Sequence, residues 1–148
     1  MIYSLRPEAG TYIVVLKNDV SRRIKIGKIG NFLFEKGYYL YVGSAHGPGG
    51  IRARIKRHLK KGKTEHWHID YLRNVTSVAA LLIKYSKKKN ECIWASRLSS
   101  SSFLSTPING FGSSDCLCTS HLFFGEQVFN IDSLKSIIDE PAELIRFS

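Results

Sequence analysis

The chain has 148 residues, 43% of them hydrophobic and 23% charged, which describes a water-soluble fold with enough length to bury a core without covalent staples. Its formal net charge of +10 favours an anionic partner, nucleic acid first and a membrane surface second. No apolar run approaches the ~20 residues of a membrane span, and the start, with Arg6, Pro7 and Glu8, lacks the apolar core of a signal peptide. Three cysteines in such a chain suggest a reducing compartment, so the expected location is cytoplasmic, away from the membrane.

In chain order, Thr11–Leu16 is a β-branched run entered from Gly10 and ended at Asn18-Asp19, as in a buried strand. Arg22 to Ile29 alternates charge with isoleucine, the pattern of a half-buried strand. Phe32–Phe34 leads through Gly37 into Tyr38-Tyr39-Leu40-Tyr41-Val42. Tight turns between these runs predict an antiparallel meander. In the last strand Tyr39 and Tyr41 share one face and Tyr38, Leu40 and Val42 the other. Several tyrosines on one strand suggest a wet working face, because a buried hydroxyl needs a partner.

After the Gly-Pro-Gly-Gly loop the period changes. Ile51, Ile55 and Leu59 make one apolar stripe of a helix over 50–61, and Gly62 is placed to end it. Arg52, Arg54, Lys56, Arg57, Lys60 and Lys61 fill much of its remaining surface. Thr64 is positioned to cap a second helix through His66–Leu72. Val78–Tyr85 reads as a strand, Glu91–Leu98 as a helix, Ser99–Ser105 as a loop, Leu122–Phe124 as a short strand and Ile131–Ile138 as a helix. The predicted fold is α+β: one domain over 1–148, with a small sheet of about three to five strands, antiparallel or mixed, flanked by helices.

Gly10-Thr11-Tyr12, Tyr41-Val42-Gly43, Arg54 on the next helix and Glu91 on a later one resemble the GIY-YIG nuclease superfamily. Thr11 and Val42 each stand where the signature has isoleucine. Gly37–Ala45, Gly49–His58, His66–Leu72, Glu91-Cys92, Gly112–Cys116 and Ser120–Phe123 look like one largely archaeal branch of it. That branch occurs alone or fused to DNA-repair enzymes and was long catalogued as of unknown function. The similarity spans about 8–124, leaving the tail 125–148 unassigned.

The resemblance implies a metal-dependent endonuclease that hydrolyses phosphodiester bonds in DNA, in repair or recombination, with RNA left open. It also implies roles. Tyr12 would help activate water, Tyr41 would sit beside nucleophile and phosphate, and Arg54 would stabilise phosphate charge. His58 and His66 would lie at the site, and Glu91 would hold one Mg²⁺ or Mn²⁺. The chemistry suits these types. Arginine meets two phosphate oxygens with a planar fork, and a hard cation that keeps its waters needs few carboxylates. A tyrosine acting as base near neutral pH needs its pKa lowered, and Arg54, the metal or a basic surround are the available means. Arg54 and His58, four residues apart, project from one helix face.

Taken singly, each residue has a plainer reading. Tyrosine is common in strands, Arg52, Lys56 and Arg57 suit a solvated helix face, and Glu91 suits a helix N-terminus. The constellation is what argues for a site. A non-catalytic nucleic-acid-binding domain of the same fold is the alternative, with Arg22, Arg23, Arg52, Lys56, Arg57, Lys60 and Lys61 contacting phosphates in either case.

Two features depart from the superfamily. The stretch between Tyr12 and Tyr41 is long, with an Arg/Lys-bearing hairpin inserted that either grips substrate or displaces the first strand. The superfamily's late asparagine has no clear counterpart, Asn109, Ser114 and Asp115 being nearest. Cys116, Cys118 and His121, with His66 or His68, could bind structural zinc. Their Cys-x-Cys spacing is tighter than a usual zinc knuckle, however, and the favoured reading places His66 and His68 as polar residues near the site and packs Cys92 and Cys116 as small apolar groups.

Overall fold

β1 (Gly10–Asn18) is the centre of the molecule. In the structure, a computed structural model that describes residues 4–113, 116–126 and 130–147, it is buried along its length except at Lys17. β4 (Gly37–Ala45) pairs with it on one side and β5 (Ser77–Tyr85) on the other; β6 (Leu122–Gly125) and β7 (Glu143–Arg146) form the edges. The strand order is β6-β4-β1-β5-β7, every pairing is antiparallel, and the expected α+β architecture is the one observed. A continuous β-branched run suits β1 because helices cover both of its faces.

The alternation of side chains along β1 sorts the core into two. Tyr12, Val14 and Leu16 face Ile51 and Ile55 of α1 (Gly50–Leu59) and Ile69 and Leu72 of α2 (His68–Arg73). Ile13 and Val15 face Trp94, Ala95 and Leu98 of α3 (Glu91–Ser99) and Leu134 and Ile138 of α4 (Leu134–Ile138). Tyr39 and Tyr41 fall with the first set, and Leu40 and Val42 with the second, as the alternation predicts. Among the described residues no helix is long and apolar enough to cross a membrane.

The meander is corrected. β1 pairs with β4 from Gly10 opposite Ala45 to Asn18 opposite Gly37, while β2 (Arg22–Ile26) and β3 (Gly30–Phe34) pair only with each other. β1 and β4 are both nine residues long and lie in full register, which leaves the five-residue strands between them as an excursion. Asn18 closes that excursion, its amide donating to the carbonyls of Phe34 (3.2 Å) and Glu35 (3.0 Å). Ile26 and Phe34 anchor it on the α1/α2 side of the core.

Three local expectations also change. α2 begins at His68 rather than being capped by Thr64, because the Asp70 carboxylate itself accepts the N–H groups of Trp67 (2.9 Å) and His66 (2.8 Å). The helix expected over Ile131–Ile138 opens as a 3₁₀ turn, with the Asn130 side chain accepting from the Asp132 N–H. Part of the unassigned tail is β7, an edge strand on β5.

Candidate active site

Tyr12 and Tyr41 are diagonal neighbours on the α1-covered face of the sheet, since Tyr12 pairs with Gly43 and Val14 with Tyr41. The signature glycines make this possible. A Cβ at Gly43 would stand 2.4 Å from the Tyr12 hydroxyl oxygen, so only glycine lets the phenol lie across β4. A Cβ at Gly10 would stand 2.5 Å from the Lys84 carbonyl oxygen and 3.0 Å from Ile51, where β1 passes close to β5 and α1.

α1 supplies the next layer. Ile51 and Ile55 are fully buried and set the rotation of the helix, which turns His58 inward. His58 is 1% exposed, and its Nε2 lies 2.6 Å from the Tyr12 hydroxyl oxygen. The Tyr41 ring approaches His58 edge-on at 5.8 Å. Arg54 donates to the Ser44 carbonyl at 2.9 Å and lies over Trp67, its guanidinium carbon 4.6 Å from the ring centroid. Arg57 stacks on the same indole at 4.5 Å and pairs with Asp70 at 2.6 Å. Arg73 holds the end of α1 by donating to the carbonyls of His58 (2.8 Å) and Leu59 (2.9 Å), two of the acceptors a helix C-terminus leaves open.

Burial dominates the electrostatics. It lowers the His58 pKa to about 3, against a smaller upward pull from Asp70, so the imidazole is neutral at physiological pH. It raises Tyr12 well above the ordinary phenol value, with Tyr41 adding to the rise and Arg54 opposing it. Tyr41 is also raised, chiefly by burial, with Arg54 again opposing. The expectation that Arg54 or the basic surround lowers a tyrosine pKa is therefore corrected: desolvation of the phenolate outweighs the arginine. Both phenols are therefore neutral at physiological pH. At Asp70, burial alone would raise the pKa, but the Trp67 and His66 N–H groups and Arg57 outweigh it and hold the carboxyl low.

Glu91 is the first residue of α3. The start of that helix is tied to β1 by the Asn90 N–H, which donates to the Thr11 hydroxyl at 3.3 Å. Thr11 thus has a positioning role that its β-branched character alone did not suggest. Glu91 is half-buried, has no ion pair among the described residues, and lies near enough to Tyr41 and Tyr12 to add to the rise in both. A carboxylate without a cationic partner suits a hard, oxygen-seeking cation such as Mg²⁺ or Mn²⁺.

The remaining candidates divide. His66 is exposed and stands beside Trp67 at 5.1 Å, outside the Tyr12–His58 hydrogen bond. Its neighbour His68, expected as a polar residue near the site, accepts from the Gly112 N–H at 2.8 Å and packs on Phe111, which meets Tyr41. Arg57 is engaged with Asp70, and Arg52 donates to the Leu5 carbonyl at 2.7 Å. Lys56, Lys60, Lys61 and Arg23 are exposed, while Arg22 is half-buried beside the Val20 carbonyl. Asn109 is exposed in its turn, and Ser114 and Asp115 lie outside the described residues.

A second cluster adjoins Glu91. The sulfur atoms of Cys92, Cys116 and Cys118 and a ring nitrogen of His121 all lie within 4.8 Å of one another, an arrangement that can hold a metal ion. Cys92 is exposed rather than packed as a small apolar group, and Cys116 is half-buried with its sulfur 3.4 Å from His121 Nε2. His66 and His68 are not members, and the fourth donor is Cys92.

The chain matches the family described as "Domain of unknown function DUF123" over residues 11–142, and it belongs to that family. No match was found among curated proteins or solved structures.

Proposed function

We propose that the protein is a divalent-metal-dependent endonuclease of the GIY-YIG type, hydrolysing phosphodiester bonds in DNA during repair or recombination in the cytoplasm. The observation that carries this reading is the 2.6 Å contact between the Tyr12 hydroxyl and His58 Nε2, with Tyr41 and Arg54 against it. A neutral imidazole can accept a proton. Burial makes His58 resist protonation in the free protein, so it takes the Tyr12 proton only as negative charge grows on the phosphate, and Tyr12 takes one from water in the same step, leaving no free phenolate at any stage. Arg54 offers its fork to the phosphate oxygens as negative charge grows on them. Tyr41 donates to the same phosphate and fixes its orientation.

Glu91 would hold the Mg²⁺ or Mn²⁺, which when bound acts as a Lewis acid and makes coordinated water more acidic. The exposed Lys56, Lys60, Lys61 and Arg23 favour contact with the nucleic-acid backbone, which positions a strand without reading its sequence.

The test is cleavage of supercoiled plasmid and of short structured DNAs with Mg²⁺ or Mn²⁺. Wild type is compared with Tyr12→Phe, Arg54→Ala and Glu91→Gln. Glu91→Gln is expected to lower nicking by at least about 10²-fold while DNA affinity stays nearly unchanged. Equal nicking by all four proteins would expose a contaminant. DNA binding with no nicking on any substrate would favour the non-catalytic binding domain.

A further inference from the structure

The cysteine–histidine cluster takes no part in the chemistry above, and its geometry is specific. A tetrahedral zinc with Zn–S bonds of about 2.3 Å sets sulfur ligands about 3.8 Å apart and a sulfur and a nitrogen about 3.5 Å apart. Here all four donor atoms fall within 4.8 Å of one another, and His121 Nε2 stands 3.4 Å from the Cys116 sulfur. Three thiols gain little from one another, being weak donors and weak acceptors, and three thiolates would repel. A cation at their centre removes both difficulties.

The scaffold around the cluster is already set. His121 is 4% exposed; its N–H donates to the Phe111 carbonyl at 2.8 Å and its carbonyl accepts from Val42 at 2.9 Å, which ties the ring to the sheet. Cys92 sits in the first turn of α3. Between Cys116 and Cys118 the chain leaves Leu117 wholly in solvent. An exposed leucine between two half-buried cysteines is what results when both thiols turn inward at the expense of apolar burial.

We propose that Cys92, Cys116, Cys118 and His121 form a structural zinc site, one ion per chain, clamping the first turn of α3 to the loop that leads into β6. Soft thiolates select zinc over the hard cation suited to Glu91. Four protein donors fill a tetrahedral shell and leave no open position for substrate, which makes the site structural. The clamp also fixes the turn that carries Glu91, but the site stands whether or not the protein cleaves DNA.

The experiment is metal analysis of the full chain, purified without chelator and without a metal-binding tag. It is followed by organomercurial titration of the thiols with released zinc read by a chromogenic chelator. About one zinc per chain is expected, freed in step with three thiols. Protein refolded with Co²⁺ should show the intense near-ultraviolet thiolate-to-cobalt band and the visible bands of a tetrahedral ion. His121→Cys should keep the zinc, His121→Ala should weaken its retention against chelator, and Leu117→Ser should change neither. Wild-type protein with less than roughly a tenth of an equivalent of zinc and no Co²⁺ uptake would overturn the proposal, as would an iron–sulfur chromophore or a disulfide among these cysteines. The wild-type thiol titration decides the matter even if the variants fail to fold. Zinc without nicking would keep this site and sink the nuclease; nicking without zinc would do the reverse.

Discussion

Against α3 and α4 the sheet presents Ile13, Val15, Leu40, Val42 and Leu82 to Trp94, Leu98, Leu134 and Ile138, apolar on both sides. Charge stays at the rim, where Glu140 pairs with Lys84 and Arg97. Against α1 and α2 the same sheet buries His58, Asp70, Arg73 and Lys63 together with Tyr12, Tyr39 and Tyr41. Each buried polar group on that side costs free energy unless it finds a partner. The partners form a chain: Arg73 grips the end of α1, Asp70 joins Arg57 to the start of α2, and Arg57 stacks on the indole that also carries Arg54. The apolar face gains stability chiefly from burial, with the Glu140 contacts to Lys84, Arg97 and the Trp94 indole at its rim, while the polar face uses its network to hold His58 and Arg54 in place.

Substitutions should separate the two faces. The largest effect is expected from Trp94→Ala, which removes a fully buried indole from the apolar face. It should lower unfolding free energy by about 3–5 kcal/mol in urea titration, with the nicking rate per folded molecule unchanged. A loss confined to activity would contradict the division. Next comes Arg54→Ala on the polar face. It should reduce nicking by about 10²–10³-fold, while its stability cost, one hydrogen bond to the Ser44 carbonyl and the contact with the Trp67 ring, stays at about 1–2 kcal/mol. Intact nicking in this variant would remove Arg54 from the site.

pH sharpens the comparison further, because the strongly shifted histidine belongs to the polar face. Burial lowers folded His58 to about 3, whereas an unfolded histidine titrates near 6.5. Between those values the unfolded chain binds the additional proton. The stability His58 contributes is therefore whole above about pH 6.5 and is lost as pH falls toward 3, at up to about 1.4 kcal/mol per pH unit. His58→Gln should flatten the slope measured between about pH 6.5 and 5, a range above the value near 3.9 where Asp70 begins to matter. His68 and His121, also lowered by burial, leave a residual slope. An unchanged slope in His58→Gln would mean that this imidazole is not buried neutral.

Legibility in the sequence followed local pattern. The β-branched run of β1, the isoleucine stripe of α1 and the alternation of β4 each determine a face, so Tyr12, Tyr41, Arg54 and His58 could be aimed at one another in advance. What depends on distant pairing could not be read. Arg22–Ile26 and Gly30–Phe34 alternate in the same way whether they join the main sheet or pair alone; the full register of β1 with β4 decides it. Glu143–Arg146 has only two apolar residues, too few to announce an edge strand. Cys92 joins Cys116, Cys118 and His121 only because α3 lies against a loop more than twenty residues later, and no spacing encodes that approach. The depressed pKa of Asp70 likewise comes from N–H groups of its own helix start and an arginine of another helix.

The smallest predicted effect tests a distinction within one strand. A wet tyrosine face was expected on β4, yet Tyr39 is 1% exposed and Tyr41 8%. They point the same way and differ in what their hydroxyls meet. Tyr39 donates to the Glu35 carbonyl at 2.7 Å, whereas the Tyr41 hydroxyl has no hydrogen bond to the described residues and lies near Arg54 and Glu91. Tyr39→Phe should cost about 1 kcal/mol or somewhat less, because the carbonyl it abandons is only partly buried and water can replace the donor. Its nicking rate should match wild type. Tyr41→Phe loses no internal hydrogen bond, so its urea midpoint should hardly move while nicking falls. If the two variants behaved alike in both measurements, Tyr41 would be a packing residue, and the phosphate would have to be held by Arg54 without it.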